Sequence, residues 1–542
     1  MIFLSIFAGV LSGFSSAALL AVITSALKTH GRPTWALIGL FAGLCLLLPV
    51  SRYVSELLLN HLGQGALYGL RLTLSRQILA SPLRLLEQIG TPRLMAALTD
   101  DIPTITNAIL VVPLLCTNVA IVLGCLIYMG SLLPAMFGIV MAFLVLGVLA
   151  YQLPIIRAHN LFRRARRDND AMLTHFRALT EGIKELKMHS WRREAFLTRV
   201  LQATASSFRS HSLAAIKIFT AAASCGQTLV FVVVGLTVLV LPSVLPISPL
   251  ILTGYTLALI YLMTPLQNLM NTLPTLAKAE TALRNVKDLG LSLAGDESEA
   301  AISVEPPPTT WKSLQLASVT HAYHRDDDTS DFVLGPLDLT FEPGQIVFIT
   351  GGNGSGKTTF LKLLSGLYSP ETGGIYLDDH LIASSTDKER YRQNFSVVFS
   401  DFYLFTHLIG LQRSRLDQQA AEYLAKLQLN HKVGIKNGQL STIELSQGQR
   451  KRLALLTAYL EDRPIYIFDE WAADQDPYYK DIFYLQLLSE LKQKQKTVFI
   501  ISHDDKYYHV ADRIITIRDG YVISDTKLRS SYTSHYAFSC CD

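Results

Sequence analysis

The residues best suited to chemistry lie in the glycine-rich segment GGNGSGKTT, residues 351–359. An apolar run, 346–349, precedes this segment and a helix-like run follows it, which gives the order strand, glycine loop, helix. Glycines let successive backbone N–H groups point at phosphate oxygens, near the positive end of the following helix. The lysine would neutralise the β- and γ-phosphates, and the next hydroxyl would ligate Mg²⁺. The segment therefore predicts ATP or GTP binding, rather than a tight turn with an incidental lysine, through Gly351, Asn353, Gly354, Ser355, Gly356, Lys357, Thr358 and Thr359.

Two carboxylates at the end of a second apolar strand fit the same chemistry. Residues 465–468 are apolar, and Asp469 and Glu470 follow directly. Asp469 would hold Mg²⁺ through water, whereas Glu470 is placed to orient and deprotonate the water that attacks the γ-phosphate. An acidic pair at a strand end is common by itself. Together with the glycine loop, it predicts nucleotide hydrolysis.

The N-terminal half carries long stretches without a charged side chain. No Asp, Glu, Lys or Arg occurs in 102–156 or in 218–277, although 17% of the 542 residues are charged. A bilayer span needs about 20 apolar residues, and a soluble core helix keeps a charged face. Each of the two stretches therefore predicts two spans and a turn, rather than a buried soluble core. Six membrane spans are predicted, near 2–26, 33–57, 106–129, 132–156, 218–241 and 249–272.

Basic residues predict which side of the membrane the long loops occupy. The two long segments between predicted spans are rich in Lys and Arg, and the second contains the cluster Arg163, Arg164, Arg166 and Arg167. Positively charged loops stay in the cytoplasm, so both termini are expected there as well. Both segments also look helical, which predicts helices that continue beyond the bilayer. Attraction to anionic lipid explains the basic cluster more simply than a nucleic-acid partner, and no nucleic acid is expected.

Composition divides the chain into three parts. A helical transmembrane domain is predicted for 1–294, followed at 295–310 by a linker that is first acidic and then proline-rich. From 311 to 542, strand-like runs alternate with helical ones, which predicts an α/β domain that binds ATP. The predicted fold class is therefore an α-helical six-span transmembrane domain followed by a P-loop α/β nucleotide-binding domain.

The segment 445–452, LSQGQRKR, lies between the two phosphate-site motifs and resembles the signature of the ATP-binding-cassette (ABC) family. That signature reads L-S-G-G-Q followed by basic residues, and Gln447 departs from it at the third position. In the family this helix start caps the γ-phosphate bound to the other protomer, so two chains enclose two ATP molecules. The resemblance implies ATP and Mg²⁺ as cofactors, with Ser446, Gly448 and Gln449 contacting nucleotide in a dimer.

Further family elements match single positions. Tyr323 matches the aromatic residue that stacks on adenine, and Asp476 matches the end of the loop that crosses the dimer interface. His503, after the apolar strand 498–501, matches the switch histidine that contacts the γ-phosphate. The resemblance thus implies that His503 joins Lys357 and Glu470 in catalysis.

One family element is missing from the sequence. Ser400 occupies the position where ABC cassettes usually carry a glutamine that touches Mg²⁺ and senses the transmembrane helices. The serine side chain is shorter and would need a bridging water to reach the metal. Asp401 next to it could contribute instead. Metal contact through Ser400 and coupling at this loop are therefore in question, although phosphate binding is not.

Six spans followed by one cassette resemble a half-exporter, which must dimerise; a homodimer is the simplest expectation. Residues 469–477 read DEWAADQDP, where most cassettes read D-E-P-T-S-A-L-D. This stretch and residues 399–405 resemble bacterial exporters of cyclic peptides and siderophores. The resemblance implies ATP-driven export of a cyclic or nonribosomal peptide across the bacterial cytoplasmic (inner) membrane, among membrane lipids. A lipid or glycolipid flippase of the same architecture is the alternative.

Other segments bear on coupling and cargo. Short helices that dock onto the cassettes are expected within 85–90 and 179–187. Scarcity of charge inside the membrane favours a neutral or amphipathic cargo, such as a peptide, over a small ion. The sixth span is unusually polar, and its polar groups either line the cargo cavity or bond neighbouring helices. Its residues of interest are Tyr255, Thr256, Tyr261, Thr264, Pro265, Gln267, Asn268 and Asn271.

Overall fold

A computed structural model describes residues 2–28, 34–244, 247–289, 311–323, 332–411 and 416–528. The chain forms two compact units. The helical unit comprises Met1–Thr73 and Met95–Asp288, and the α/β unit comprises Leu74–Leu94 and Leu289–Asp542. The predicted linker, 295–310, lies outside the described residues, so the boundaries predicted on either side of it stay predictions. The assignment of Leu74–Leu94 to the α/β unit differs from the predicted division.

Long helices make up most of the N-terminal half. In chain order the helices are α1 Ile2–Lys28, α2 Trp35–Ala80, α3 Leu83–Ile89, α4 Thr91–Ala96, α5 Ile102–Leu132, α6 Pro134–Glu181, α7 Ile183–Met188, α8 Ser190–Ala195, α9 Gln202–Gly235, α10 Leu241–Val244 and α11 Pro249–Asp288. Wider π-helical turns at Ala97–Asp101, Phe196–Leu201 and Leu236–Val240 connect several of them.

Five helical runs within the described residues are long and apolar enough to cross a bilayer. They are Phe3–Leu27, Trp35–Ala80, Thr91–Leu132, Ser190–Ser243 and Pro249–Thr272, and each overlaps one of five predicted spans. The other predicted span, 132–156, falls on α6, whose described apolar stretch is Pro134–Phe143. Helices α2 and α6 continue well past their predicted spans, as expected from the sequence.

Small residues allow close helix packing in the helical unit. Helix α5 packs against α1 and α11, and α6 packs against α9. A methyl group added to Gly13 would lie 2.7 Å from the Ala120 Cβ, and one added to Gly124 would lie 2.7 Å from the Ala17 Cβ. Helices α1 and α5 therefore touch through positions that exclude larger side chains.

The α/β unit contains a four-stranded sheet, a six-stranded sheet and a small hairpin. Its strands are β1 Leu314–Tyr323, β2 Phe332–Phe341, β3 Ile346–Thr350, β4 Thr372–Leu377, β5 His380–Leu381, β6 Phe395–Val398, β7 Ile435–Lys436, β8 Gln439–Leu440, β9 Ile465–Asp469, β10 Thr497–Ile501, β11 Arg513–Arg518 and β12 Tyr521–Lys527. The sheet orders are β2-β1-β4-β5 and β12-β11-β3-β10-β9-β6, with β7 paired to β8.

Helices follow several of these strands. They are α12 Lys357–Leu364, α13 Ser385–Arg392, α14 Leu416–Lys426, α15 Gln447–Glu461, α16 Pro477–Asp481 and α17 Leu488–Gln493. Helices α12, α15 and α17 contact strands of the larger sheet, and α14 packs on α15. Every residue of β3, β9 and β10 is buried. Because both faces of a parallel strand are covered, such strands read as continuous apolar runs, which is the pattern that made them recognisable in the sequence.

Candidate nucleotide site

Four parallel strands bring the predicted site residues to one edge of the larger sheet. Strands β3, β10, β9 and β6 are neighbours and run parallel, so their carboxyl ends meet at the same edge, where open α/β sheets bind ligands. The glycine loop follows β3, His503 follows β10, and Ser400 follows β6. Asp469 ends β9, and Glu470 comes next.

The glycine loop has a backbone that only glycine adopts easily. Gly351, Gly354 and Gly356 have φ angles of 147°, 76° and 101°. A Cβ on Gly351 would lie 2.1 Å from the Ile517 carbonyl oxygen, so the turn also needs the close approach of a neighbouring strand. Helix α12 begins at Lys357, directly after this turn, and its first N–H groups form the anion-binding end of the helix.

Two polar groups in the loop fit a phosphate ligand. The Lys357 ammonium donates to the carbonyl oxygens of Gly351 and Gly352 at 3.0 and 2.9 Å. Burial lowers the pKa of Lys357, while the Glu470 and Asp469 carboxylates act in the opposite direction. The Ser355 hydroxyl is buried and has no hydrogen-bond partner among the described residues. An incoming phosphate would satisfy this orphaned group.

The other predicted loop residues differ in exposure. Asn353 and Gly354 are exposed at the tip of the loop, whereas Thr359 is buried in the first turn of α12. Exposure at the tip would let a ligand reach Asn353 and Gly354. The nucleotide contacts predicted for these three positions stay predictions.

Two hydroxyl groups converge on one carboxylate. Thr358 Oγ1 and Ser400 Oγ each donate to Asp469 Oδ2 at 3.2 Å. Burial raises the pKa of Asp469, and the two hydroxyl donors partly offset that effect. A buried carboxylate flanked by two hydroxyl oxygens fits a hard cation such as Mg²⁺, which prefers oxygen ligands. Ser400 thus reaches the same carboxylate as Thr358, although its short side chain had put its metal contact in question.

Glu470 and His503 face each other beside this cluster. Glu470 Oε1 lies 3.5 Å from His503 Nε2, and both side chains are exposed to solvent. Glu470 has φ 49° and ψ 34°, a left-handed conformation that is uncommon for a residue with a side chain. Its N–H donates to the Ile501 carbonyl at 3.2 Å. The pair therefore lies at the ends of strands β9 and β10, which are adjacent in the sheet; the sequence had placed each residue after an apolar strand.

The predicted signature residues lie at the start of α15. The Gln449 side chain accepts from the Ser446 N–H at 3.3 Å. A Cβ on Gly448 would lie 3.2 Å from the Asp474 carbonyl oxygen, so the signature packs closely against the segment 470–476 of the same chain. Asp476 caps α16 by accepting from the Tyr479 N–H at 3.1 Å.

The predicted adenine contact is not tested. Tyr323 ends β1 with its backbone opposite Phe332, and its side chain lies outside what the structure describes. Its stacking on adenine stays a prediction.

A buried cation that sequence reasoning missed lies next to the site. The Lys451 ammonium donates to the Glu470 carbonyl oxygen at 3.0 Å and pairs with Asp474 at 2.7 Å. The sequence shows basic residues after the signature, but basic residues on a helix are usually solvent-exposed. Only the fold reveals that Lys451 is 4% exposed.

Helix α3 docks within the α/β unit, as predicted for segment 85–90. Arg84 pairs with Glu371 at 2.9 Å and donates to the Ala322 carbonyl at 3.0 Å. Glu87 pairs with Lys362 at 2.7 Å and also accepts from the Tyr368 hydroxyl. Lys362 lies on α12, the helix that starts in the glycine loop. These contacts explain why Leu74–Leu94 groups with the α/β unit.

Similar proteins settle the family. The ABC transporter model matches residues 334–473, and the ABC transporter transmembrane region matches residues 1–267. The ATP-binding protein SyrD of Pseudomonas syringae pv. syringae is 36% identical over 536 residues, which cover 97% of this chain and 94% of that protein. The chain belongs to the ABC transporter family. It is therefore an ATP-hydrolysing membrane transporter, as the motifs implied.

Two further ABC proteins are informative. The probable syringafactin export ATP-binding/permease protein SyfD of Pseudomonas syringae pv. syringae (strain B728a) is 29% identical over 229 residues, 39% of this chain and 34% of that protein. The structure of a bacterial Atm1-family ABC exporter with ATP bound matches with a TM-score of 0.71 at 18% identity, over 97% of this chain and 94% of the other. This likeness confirms the predicted ABC-exporter fold and nothing finer.

Proposed function

We propose that two copies of this ABC transporter export a cyclic or nonribosomal peptide across a bacterial cytoplasmic membrane. The proposal rests on one observation: the same chain contains apolar helices long enough to span a membrane and a sheet edge at which Thr358 and Ser400 bind Asp469. The relative SyfD, which is named for probable syringafactin export, supports transport outward. Both termini and the α/β unit would lie in the cytoplasm, because the long basic loops favour that side.

ATP binding rests on the glycine loop. Its N–H groups and the Ser355 hydroxyl would hold the phosphates, and Lys357 would move from the loop carbonyls to the β- and γ-phosphate oxygens. Tyr323 would stack on adenine. Mg²⁺ held by Thr358, Ser400 and Asp469 would neutralise charge on the transferred phosphoryl group.

Hydrolysis rests on the pair beside the loop. Glu470 would orient the attacking water and accept its proton, and His503 would hydrogen-bond the γ-phosphate. Because His503 lies 3.5 Å from the Glu470 carboxylate, one residue can sense the phosphate while the other contacts the water. Their exposure in a single chain agrees with a site that closes only when a second chain covers it.

Incomplete surfaces in one chain support a homodimer. Met188, the last residue of α7, is 77% exposed, and Trp191, in α8, is 89% exposed. In the α/β unit, Tyr403 and Phe405, just after Ser400, are 74% and 60% exposed. Exposed apolar side chains that lie close together often mark a protein–protein interface. A second copy would cover both patches reciprocally and would bring its Ser446, Gly448, Gln449 and Asp476 to the ATP of the first.

The helical unit narrows the cargo class. Tyr255 donates to the carbonyls of Met129 and Leu133, and Asn268 donates to Asn118, so these side chains join helices α11 and α5. Tyr261 remains 37% exposed and is available to a cargo. Few polar groups are left over, and among the predicted spans only 33–57 contains charged residues, Arg52 and Glu56, which pair with each other. The cavity would therefore suit a large amphipathic peptide rather than an ion.

The decisive experiment measures transport in proteoliposomes. ATP-dependent uptake of a fluorescent cyclic lipopeptide by protein whose ATP-binding side faces outward is expected for the wild type and not for Glu470→Gln. The variant should lose ATPase activity by at least about 100-fold because its general base is gone, while fluorescent ATP analogues still bind. Flipping of a fluorescent phospholipid without peptide uptake would contradict peptide export and support a flippase.

A further inference from the structure

The segment that follows the Glu470 carboxylate is tied to the signature helix by side chains. Lys451, in the second turn of α15, is buried and contacts both Glu470 and Asp474. The Trp471 indole N–H donates to the Lys451 carbonyl at 2.7 Å. The Gln475 side-chain amide donates to the Gly448 carbonyl at 3.0 Å. Segment 470–476 therefore has three separate attachments to one helix.

These attachments involve positions where the sequence departs from common cassette patterns. Asp474 and Gln475 stand where most cassettes read alanine and leucine, and Gln447 stands where the signature has glycine. The Gln447 side chain donates to the same Asp474 carboxylate that pairs with Lys451, at 3.4 Å. Gln447 and Asp474 thus contact each other, and Gln475 contacts the signature at Gly448, so all three residues lie between the signature and the segment 470–476.

The backbone at Glu470 explains why such a network matters. A left-handed conformation is unfavourable for a residue with a side chain, so surrounding contacts must hold Glu470 in it. On one side, the Glu470 N–H is bound to the Ile501 carbonyl at 3.2 Å. On the other side, the Glu470 carbonyl accepts from the Lys451 ammonium. The direction of the carboxylate depends on both anchors.

We propose that Lys451 is a positioning residue for ATP hydrolysis, because its ammonium fixes the Glu470 carbonyl and the Asp474 carboxylate together and so aims the Glu470 side chain at the attacking water. Lys451 does not touch the nucleotide in this arrangement; it acts through the Glu470 main chain. The inference rests on the proposed role of Glu470 as general base. It predicts that the rate of hydrolysis depends on Lys451, whereas ATP affinity does not.

The adjacent residue supplies a matched control. Arg452 is also buried, at 7% exposure, but it points elsewhere: it donates to the Leu427 carbonyl at 3.1 Å and lies over the Tyr479 ring at 3.7 Å. Removing either cation leaves polar partners unpaired and should lower thermal stability. Only the loss of Lys451 releases the Glu470 carbonyl.

The test compares Lys451→Met, Arg452→Met and Glu470→Gln as full-length protein in lipid nanodiscs. We expect Lys451→Met to lower kcat by at least about 10-fold, because small misplacements of a catalytic group are costly. The Kd of a fluorescent ATP analogue should stay within about twofold of the wild-type value, since the glycine loop is untouched. Arg452→Met should lose melting temperature while keeping kcat within about twofold.

A second variant keeps the test valid if Lys451→Met does not fold. Lys451→Met combined with Asp474→Asn removes the carboxylate that has lost its cationic partner but still leaves the Glu470 carbonyl without its donor. It should fold and retain the low kcat. Wild-type kcat in this double variant, or equal kcat losses in Lys451→Met and Arg452→Met, would overturn the positioning role. ATPase activity retained in Glu470→Gln would instead refute the proposed general base.

Discussion

Hydroxyl and amide side chains serve different ends in the two units. In the α/β unit, Thr358 and Ser400 come from separate strand ends and donate to one carboxylate oxygen. In the helical unit, many hydroxyls donate to a carbonyl one turn back in their own helix, among them Ser15, Ser16, Thr24, Thr106, Thr117 and Thr256. These hydroxyls therefore converge on a ligand site in one unit, whereas in the other unit they bond within their own helices.

The difference shows how each half achieves specificity. ATP is recognised by directed polar groups, so its site consists of residue types that are recognisable in sequence. A helix placed in lipid must satisfy every polar group internally, so its hydroxyls carry little information about cargo. We infer that cargo selection rests on the shape and apolar surface of the helical unit, with few polar contacts.

The largest expected contrast is between two threonines. Thr358→Val should lower MgATP hydrolysis by about 100-fold or more, because it removes one of the oxygens placed to bind the metal. Thr256→Val should keep kcat within about twofold, since the Thr256 hydroxyl donates to the Leu252 carbonyl in its own helix at 2.8 Å. Steady-state ATPase measurements on both variants in nanodiscs check the contrast. Comparable losses in the two variants would show that membrane hydroxyls also support the cycle.

Ser400 offers a smaller and sharper test. Ser400→Ala removes a donor to Asp469 but leaves Thr358 in place, so we expect kcat to fall by about 10-fold, with a higher Mg²⁺ concentration needed for half-maximal activity. Titration of Mg²⁺ at saturating ATP measures both quantities. An unchanged Mg²⁺ requirement would mean that this hydroxyl only orders the apo site, and Asp401→Asn would then be the next variant to titrate.

Site residues whose positions depend on local sequence were predictable, and those that depend on contacts with distant segments were not. The glycine loop, Asp469, Glu470 and His503 were predictable because each directly follows an apolar strand, and parallel strands end at a common edge. Lys451 was not predictable as a buried residue, because its partners Glu470 and Asp474 lie on a different element. The pairing of Arg84 with Glu371 likewise joins segments far apart in the chain, so the sequence predicted that segment 85–90 docks but not through which residues.

The membrane half was predictable in outline and not in detail. Charge-free stretches predicted the spans, since length and composition suffice for that. For α11, however, the sequence left cavity lining and helix bonding open. The contacts of Tyr255 and Asn268 favour helix bonding at those two positions. The sequence could not show this, because the partners, the Met129 carbonyl and the Asn118 side chain, lie on another helix, α5.

Tyr255→Phe tests whether membrane polar groups act mainly in packing. The Tyr255 ring is fully buried, and its hydroxyl lies 2.6 Å from the Met129 carbonyl and 2.8 Å from that of Leu133. Loss of this hydrogen bond should destabilise the protein by about 1 kcal/mol, seen as a lower melting temperature with basal ATPase activity within about twofold. Unchanged stability combined with impaired peptide transport would instead assign Tyr255 to the cargo path.

The smallest expected effect concerns a buried carboxylate outside the site. Burial raises the pKa of Glu461 at the end of α15, with the Ser396 hydroxyl donating to it as a partial offset. Burial also raises the pKa of Asp469, on which two hydroxyl groups converge, whereas the charge of Arg463 acts on Glu461 and lowers its pKa in part. A raised pKa means that the folded state prefers the protonated form. The carboxyl therefore favours folding at low pH, and this contribution is lost as pH rises from the usual glutamate pKa through the raised one.

Glu461→Gln should consequently raise stability at pH 7.5 by about 0.5 kcal/mol, within the range of mild substitutions, because the amide keeps an acceptor for Ser396 without a charge. The gain should shrink toward pH 5, where the wild-type carboxyl is increasingly protonated. Melting temperatures of the full-length protein at the two pH values measure this difference. A lower melting temperature for Glu461→Gln at pH 7.5 would mean that the ionised carboxylate stabilises the fold, with the charge of Arg463 outweighing the cost of burial. In that case, a buried carboxylate alone would not identify a cation site in this unit. The convergence of the Thr358 and Ser400 hydroxyls would then be the feature that distinguishes Asp469 from Glu461.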